Sequence, residues 1–169
     1  KWGVTTSQTY LARDNSDEFE NSQQSILDWL RQFANGPEEE DNTFLRSFLG
    51  RMLFSGEETL KMCDVLSGDE KVRCLLSKIM LEEGNVLILD EPTSHLDLES
   101  ITKLNESLID YPGVVIFTSH DHQFTQTVAN RIIEISPNGM LDKLMNYDDY
   151  LANDHIKKQR DDLYQGVNV

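Results

Sequence analysis

Apolar positions along the chain recur with two different spacings, which predict helices in some segments and strands in others. Between residues 26 and 34, and again between 44 and 53, apolar side chains fall every three or four positions. This spacing predicts two amphipathic helices. From Gly3 to Leu11 the chain is instead rich in β-branched and aromatic residues, which predicts a strand or a hairpin ahead of the helices.

The second half of the chain predicts strands that alternate with helices. The runs NVLILD (85–90) and VVIFTSH (114–120) are mostly apolar, which is typical of strands buried on both faces of a parallel sheet. Helical spacing precedes the first run, where Ser67 and Glu70 form a capping-box pattern. It resumes after Asp97, which is predicted to cap the following helix. This alternation predicts an α/β fold, with a parallel sheet as its core and the earlier helices as a subdomain.

The last quarter of the chain predicts a hairpin followed by a helix. The segments RIIEI (131–135) and GMLDKLM (139–145) have the composition of strands and flank a turn at Pro137-Asn138-Gly139. From Tyr147 onward the pattern predicts a single helix that becomes highly charged toward its end.

Net charge and apolar run lengths narrow the function classes. The 169 residues carry a formal net charge of −15, which argues against a free-standing nucleic-acid binder because phosphate groups would repel it. No apolar run approaches the roughly 20 residues that span a bilayer, and the N-terminus lacks a signal-peptide pattern. We therefore expect a cytoplasmic protein. Cys63 and Cys74 lack metal-ligand spacing and are expected to be buried, reduced side chains.

Both predicted buried strands end in residues that carry chemistry. Asp90 and Glu91 follow the first strand, and Ser119, His120 and Asp121 follow the second. Ligands of α/β proteins collect at the carboxyl ends of parallel strands. An acid there suits Mg²⁺ beside substrate phosphates, a second acid can position an attacking water, and a histidine can orient a γ-phosphate. Taken alone, the acidic pair also fits a capped strand end, and the histidine an ordinary loop residue.

Three motifs occur in a set order: LSGDEKVR at 66–73, VLILDEPTSHLD at 86–97 and FTSHD at 117–121. They resemble the signature motif, the Walker B motif with its D-loop, and the H-switch of ATP-binding-cassette (ABC) ATPases. The stretch EPTSHLD is similar to the EPTNHLD pattern of the ABC-F branch, whose members carry two ATPase cassettes and no membrane domain. The resemblance extends over nearly the whole chain, and the flanking segments look like those of second cassettes.

The resemblance implies a role for each residue at a matching position. Asp90 corresponds to the Walker B carboxylate that serves Mg²⁺, and Glu91 to the general base for hydrolysis. His120 matches the switch histidine, and Asp97 matches the D-loop aspartate that links two cassettes. The signature, which in this superfamily contacts ATP bound on the opposite cassette, is occupied here by Ser67, Gly68, Asp69 and Glu70. ATP and Mg²⁺ are the implied cofactors.

The resemblance also divides the chain into four parts. Residues 1–13 match the end of a β-subdomain and the Q-loop region, and residues 14–65 match a helical subdomain. Residues 66–145 match the part of the ATPase core that holds the signature, Walker B, D-loop and H-switch. Residues 146–169 match a C-terminal helix and tail.

Three departures from the family pattern bear on activity. The sequence has no Gly-rich phosphate loop ending in Lys-Ser/Thr, so the resemblance implies that the chain is a C-terminal fragment of a cassette protein. Such a fragment is expected to be inactive alone and to expose surface through which copies could associate. Asp69 stands where the signature usually has a second glycine, and it either repels the γ-phosphate or improves the helix cap. Arg13 lies near the position that a glutamine usually occupies in this family. Four interpretations are open: Gln8 takes the place of that glutamine, Arg13 contacts phosphate directly, Arg13 is a solvated loop residue, or this branch lacks the glutamine.

The resemblance implies that the parent protein hydrolyses ATP between two cassettes and acts on the ribosome and its rRNA. The expected partners are the other cassette and the ribosome, with no membrane contact. Two alternatives stay open. The chain is part of an ATPase subunit of an ABC transporter, or it is a degenerate cassette, marked by Asp69 and Arg13, that keeps only an interaction role.

Overall fold

Three parallel strands organise the first 119 residues. Hydrogen-bonded neighbours follow the order β1 (Gln8–Leu11), β2 (Val86–Asp90) and β3 (Val114–Thr118). In the register of this sheet, Leu89 lies opposite Leu11 on one side, and Asp90 lies opposite Thr118 on the other. The parallel sheet and the α/β class predicted from the sequence are therefore confirmed. The carboxyl ends of β2 and β3 come to the same edge of the sheet.

The computed structural model describes residues 1–13, 15–20 and 22–165, which fall into two compact units, Lys1–Ser119 and His120–Val169. The α-helices of the first unit are α1 (Ile26–Arg31), α2 (Asn42–Arg51), α3 (Gly68–Leu81) and α4 (Leu98–Ile109). Short 3₁₀ helices occupy Ser16–Phe19, Gly56–Leu60 and Cys63–Val65. The predicted four-part division of the chain stays a prediction.

The helical segment of the first unit has a dense apolar core. Leu30, Leu45 and Leu49 are fully buried, and the rings of Phe19 and Trp29 lie 4.8 Å apart between centroids. The first predicted helix ends at Arg31 rather than at residue 34. It ends there because the next residues close only tight turns, in which each N–H bonds the carbonyl three residues earlier.

The first and third strands differ from the sequence prediction. β1 starts at Gln8 instead of Gly3 and pairs with β2, because residues 3–6 form a turn closed by a 3.2 Å hydrogen bond from Thr6 N to Gly3 O. The prediction that β3 is buried on both faces is wrong. Val114 and Ile116 are about half exposed, since side chains alternate between faces and these two lie on a face open to solvent.

The second unit is a hairpin with helices. Its elements are α5 (His122–Val128), β4 (Ile132–Ser136), β5 (Gly139–Lys143), α6 (Tyr147–Ala152) and α7 (Asp154–Tyr164). The predicted antiparallel hairpin is confirmed. The single helix predicted after Tyr147 is instead two helices, because the side chain of Asn153 caps α7 by accepting hydrogen bonds from the amides of His155 and Ile156. Leu141, Tyr150 and Ile156 form the buried core.

Two further sequence predictions concern cysteines and membranes. Cys63 and Cys74 are both free and buried, as predicted, and burial raises the pKa of each thiol. Among the helices in the described part of the chain, none combines the length and apolarity needed to cross a bilayer.

Leu89 provides a test of the sheet as the core of the first unit. It is 1% exposed within β2, so we expect Leu89→Ala to lower the free energy of unfolding by about 2–5 kcal/mol through lost burial and a cavity. The measurement is urea unfolding of the chain. Ile116→Ala, on the neighbouring strand but 48% exposed, is the control and should cost less than half as much. Equal losses would contradict the buried position of Leu89.

Candidate functional site

The acidic pair at the end of β2 is held by one threonine. Asp90 is the last residue of β2, and its Oδ1 accepts a 2.7 Å hydrogen bond from Thr118 Oγ1 at the end of β3. The Glu91 amide donates to both the carbonyl and the hydroxyl oxygen of Thr118, each at 3.1 Å. The Thr118 hydroxyl thus donates to one acidic residue and accepts from the next. This arrangement fixes the backbone at the point where both carboxylates leave the sheet.

Glu91 has a left-handed backbone conformation, with φ at +49°. This region is unfavourable for residues with a side chain, so the surrounding contacts must hold it. The Glu91 carbonyl accepts hydrogen bonds from the Ser94 amide at 3.1 Å and the Ser94 hydroxyl at 2.9 Å. Together with Thr118, these contacts determine the direction in which the Glu91 side chain leaves the backbone.

The segments that follow β2 and β3 are joined to each other within the first unit. The hydroxyls of Thr93, which is buried, and Ser119 lie 3.2 Å apart. His120 follows Ser119 directly and is the first residue of the second unit, with an exposed side chain. The structure therefore brings Asp90, Glu91 and Ser119 to one edge of the sheet, and the role of His120 stays a prediction.

The segment Ser67–Glu70 forms the predicted capping box at the start of α3. The Ser67 hydroxyl accepts from the Glu70 amide at 3.3 Å, and Glu70 Oε2 accepts from the Ser67 amide at 2.9 Å. Ser67 and Gly68 are exposed, and a Cβ placed on Gly68 would meet no atom within 4 Å. The first turn of this helix therefore presents an open surface, with its amides and positive dipole end suited to an anion.

Lys61 holds the Glu70 carboxylate from the segment before α3. Its Nζ lies 2.7 Å and 2.9 Å from the two carboxylate oxygens. Burial alone would raise the pKa of Glu70, but the hydrogen bonds from Lys61 and Ser67 outweigh it and lower the pKa. The sequence carries no signal for this pair, because a separation of nine residues matches neither helical nor strand spacing.

Asp97 caps α4, as predicted. Its carboxylate accepts a 2.8 Å hydrogen bond from the Ser100 amide. The hydrogen bonds from the Ser100 amide and side chain, with the nearby charge of Arg73, lower the pKa of Asp97. The Asp97 amide in turn donates to Asp69 Oδ1 at 3.2 Å. Asp69 and Asp97 therefore meet across 28 residues, which the sequence analysis did not predict.

Gln8 and Arg13 lie at opposite ends of β1, and both are exposed. Gln8 is the exposed first residue of β1, and Arg13 is exposed two residues beyond the end of that strand. The four interpretations of this segment therefore stay open.

The carboxylates at the carboxyl end of β2 fit Mg²⁺ better than a metal ion whose ligands must all come from the protein. Within residues 1–13, 15–20 and 22–165, no group of three or more His, Cys, Asp or Glu side chains is placed to hold a metal. Mg²⁺ keeps several waters and is commonly held by one or two carboxylates together with substrate phosphates. Asp90, at the end of a strand, suits that mode of binding.

Comparison with known proteins gives relatives along nearly the whole chain. It is 62% identical over 164 residues to the "Uncharacterized ABC transporter ATP-binding protein YkpA" of Bacillus subtilis, covering 97% of this chain and 30% of that protein. It is 37% identical over 107 residues to "ABC transporter F family member 2" of Arabidopsis thaliana, covering 63% of this chain and 16% of that protein. The chain thus spans less than a third of the length of these relatives.

A translation-related protein is also among the relatives. The chain is 37% identical over 94 residues to the "Energy-dependent translational throttle protein EttA" of Haemophilus influenzae, covering 56% of this chain and 17% of that protein. No family model matches the chain.

Solved structures share the fold. A putative metal-chelate type ABC transporter in an inward-facing conformation matches 96% of this chain and 65% of its own, with a TM-score of 0.69 and 19% identity. A dimeric ATP-binding cassette in a post-hydrolysis state, bound to ADP and phosphate, matches 84% of this chain and 64% of its own, with a TM-score of 0.64 and 15% identity.

Glu70→Gln tests the capping box and its charge. The substitution keeps an oxygen for the Ser67 amide but loses the ion pair with Lys61. We therefore expect the free energy of unfolding to fall by about 0.5–1 kcal/mol at pH 7. Because the folded-state pKa of Glu70 is lowered, this difference is complete above its ordinary value of 4.5 and disappears as the pH falls through the lowered value.

The measurement is urea unfolding of both forms from pH 7 downward, as far as the wild-type chain stays folded. Glu57→Gln, at an exposed position in the first turn of the short helix Gly56–Leu60, is the control and should change stability little at any pH. A Glu70→Gln effect that keeps its size through acid pH would rule out the charged pair as its cause.

Proposed function

The chain belongs to the ATP-binding-cassette proteins, with ABC-F members among its relatives, and we propose that it supplies the Walker B, signature and D-loop part of a cassette that hydrolyses ATP. The observation that carries this proposal is the acidic pair at the carboxyl end of β2, with Asp90 and Glu91 both bound by Thr118. The Thr118 hydroxyl binds the carboxylate of Asp90 and the backbone amide of Glu91, so it orients the first acid directly and fixes the backbone from which the second acid extends.

The two carboxylates divide the work of hydrolysis. Asp90 would hold Mg²⁺, which neutralises charge on the β- and γ-phosphates of bound ATP. Glu91 would accept the proton of the water whose oxygen attacks the γ-phosphorus, while the bond from that phosphorus to the ADP oxygen breaks. His120, two residues beyond the end of β3, would orient the γ-phosphate. The fixed Glu91 backbone favours this role, because a general base must lie within hydrogen-bond reach of its water.

The signature segment would act on a second cassette. Ser67 and Gly68 are exposed at the start of α3, where free amides and the helix dipole favour a phosphate. We propose that Ser67–Glu70 face the γ-phosphate of ATP held mainly by the partner cassette, and that Asp97 contacts that cassette. The fold shared with a dimeric cassette bound to ADP and phosphate supports this arrangement.

The proposed cellular target is the ribosome, in the cytoplasm. It is supported by the ABC-F relatives and by the translational role in the name of EttA. The net charge of −15 makes this chain itself a poor surface for rRNA. We therefore place rRNA contacts in other parts of the longer protein to which we assign this chain.

A second candidate is the ATPase subunit of a membrane transporter, which the name of the YkpA relative favours. A membrane-spanning partner that co-purifies with the longer protein would support it, whereas co-sedimentation with ribosomes would support the first proposal. The degenerate-cassette alternative predicts no ATP turnover at all.

Glu91→Gln tests the proposed general base in the longer protein. The substitution keeps the shape of the side chain but removes the proton acceptor, so ATP turnover should fall by about 100-fold or more while ATP still binds. The measurements are phosphate release and the amount of ATP retained after gel filtration.

Glu83→Gln is the matched control, because Glu83 is the other glutamate with a left-handed backbone, at φ +48°, and precedes the opposite end of β2. It should leave turnover unchanged. Equal turnover in wild type and Glu91→Gln would remove Glu91 from the mechanism, and no turnover in the wild type would favour the degenerate cassette.

Thr118→Val tests how the acidic pair is held. Valine keeps the branched shape but removes the hydroxyl bound to Asp90 and to the Glu91 amide. The Glu91 amide keeps its bond to the Thr118 carbonyl, so the unreplaced loss is the bond to Asp90, and we expect turnover to fall by about tenfold. Thr118→Ser, which keeps the hydroxyl, should restore most of the rate. The measurement is steady-state phosphate release, and equal rates in the valine and serine variants would exclude the hydroxyl as the cause.

A further inference from the structure

Asp69 joins two elements that the sequence separates. Its Oδ1 accepts the 3.2 Å hydrogen bond from the Asp97 amide at the start of α4, and its Oδ2 accepts a 2.7 Å bond from Arg73 Nε on α3. The two oxygens therefore bind different helices. The ion pair is mostly removed from water, with side chains 23% exposed for Asp69 and 14% exposed for Arg73.

Arg73 is itself anchored on a third element. One terminal nitrogen of its guanidinium donates to the Met52 carbonyl at 3.1 Å, directly after α2. The guanidinium also lies 4.6 Å from the centroid of the Phe54 ring. Both contacts restrict the rotation of Arg73, so the Asp69 carboxylate is held in one orientation and aims its other oxygen at the start of α4.

The direction of this carboxylate bears on the two earlier interpretations of Asp69. Repulsion of a γ-phosphate requires an uncompensated charge, but the Asp69 charge is paired with Arg73. A pure helix cap requires contacts within α3 alone, but Asp69 also reaches Asp97. A glycine at this position, as in the usual family signature, has no side chain that could accept either hydrogen bond. The contact is therefore a property of this chain's aspartate.

We propose that Asp69 is a positioning residue that couples the signature segment Ser67–Glu70 to the D-loop backbone at Asp97. The inference rests on the proposed function, in which both segments face the partner cassette. With the link in place, the start of α3 and the start of α4 keep one relative position, so that movement of either on cassette closure moves the other. Without it, the D-loop backbone moves more freely and closure is transmitted less completely to the acidic pair.

The first experiment measures the link itself, without nucleotide. Amide hydrogen exchange of the Asp97 N–H is followed in this chain by NMR for wild type, Asp69→Ala and Glu99→Ala. Glu99 is the matched control, since it is an exposed carboxylate in the first turn of α4. We expect about tenfold faster exchange in Asp69→Ala, no change in Glu99→Ala, and unchanged exchange within the centre of α3. Unchanged exchange of the Asp97 amide in Asp69→Ala would overturn the proposal.

The second experiment measures coupling in the longer protein. Asp69→Ala should lower the maximal rate of ATP turnover several-fold while the ATP concentration for half-maximal rate stays unchanged, because the Asp69 carboxylate is directed at Arg73 and the Asp97 amide and leaves phosphate contacts to the rest of the signature segment. If Asp69→Ala instead turned over ATP faster and reached half-maximal rate at a lower ATP concentration, Asp69 would repel the γ-phosphate. That result would overturn the proposed coupling of the signature segment to the D-loop. Faster amide exchange with unchanged turnover would overturn the coupling. Full turnover in Glu91→Gln would refute the proposed function instead, and the exchange result would still stand.

Discussion

The parallel pairing of β2 with β3 is the constraint on which the candidate site depends. It brings Thr118 opposite Asp90, and a single hydroxyl then meets both a carboxylate and the next backbone amide. Shifting the pairing by one residue would turn Thr118 to the other face of the sheet and separate it from Asp90. The buried side chains of β2, above all Leu89, resist such a shift because it would expose them. The apolar core and the polar edge therefore specify the same register.

Helix starts carry the second part of the site. α3 and α4 both begin with a side-chain cap, at Ser67 and Asp97, and each cap is joined to residues outside its own helix. Lys61 holds the first through Glu70, and Asp69 reaches the second. A cap residue that also contacts neighbouring elements both starts its helix and holds that end of the helix in position. Two helix starts are thereby held by charged side chains that the helices alone do not need.

The sequence predicted what depends on local pattern and missed what depends on distant contacts. The order of strands and helices as far as the hairpin, the capping box at Ser67 and the cap at Asp97 follow from spacing and residue type, and these are confirmed. The exposure of β3 was not predictable, because an apolar run does not say whether both faces of the strand are covered. The link from Asp69 to Asp97 crosses 28 residues and involves a backbone amide, which leaves no mark in the sequence.

The left-handed conformation of Glu91 has a consequence for how such a cassette would change under selection. A side chain in this region costs about 1 kcal/mol, and glycine or asparagine would adopt it more readily. Stability alone thus favours replacing Glu91, whereas the proposed role of Glu91 as general base would require its carboxylate. In a lineage released from the need to hydrolyse ATP, position 91 would drift toward glycine or asparagine, and the residue found there would record which pressure had prevailed.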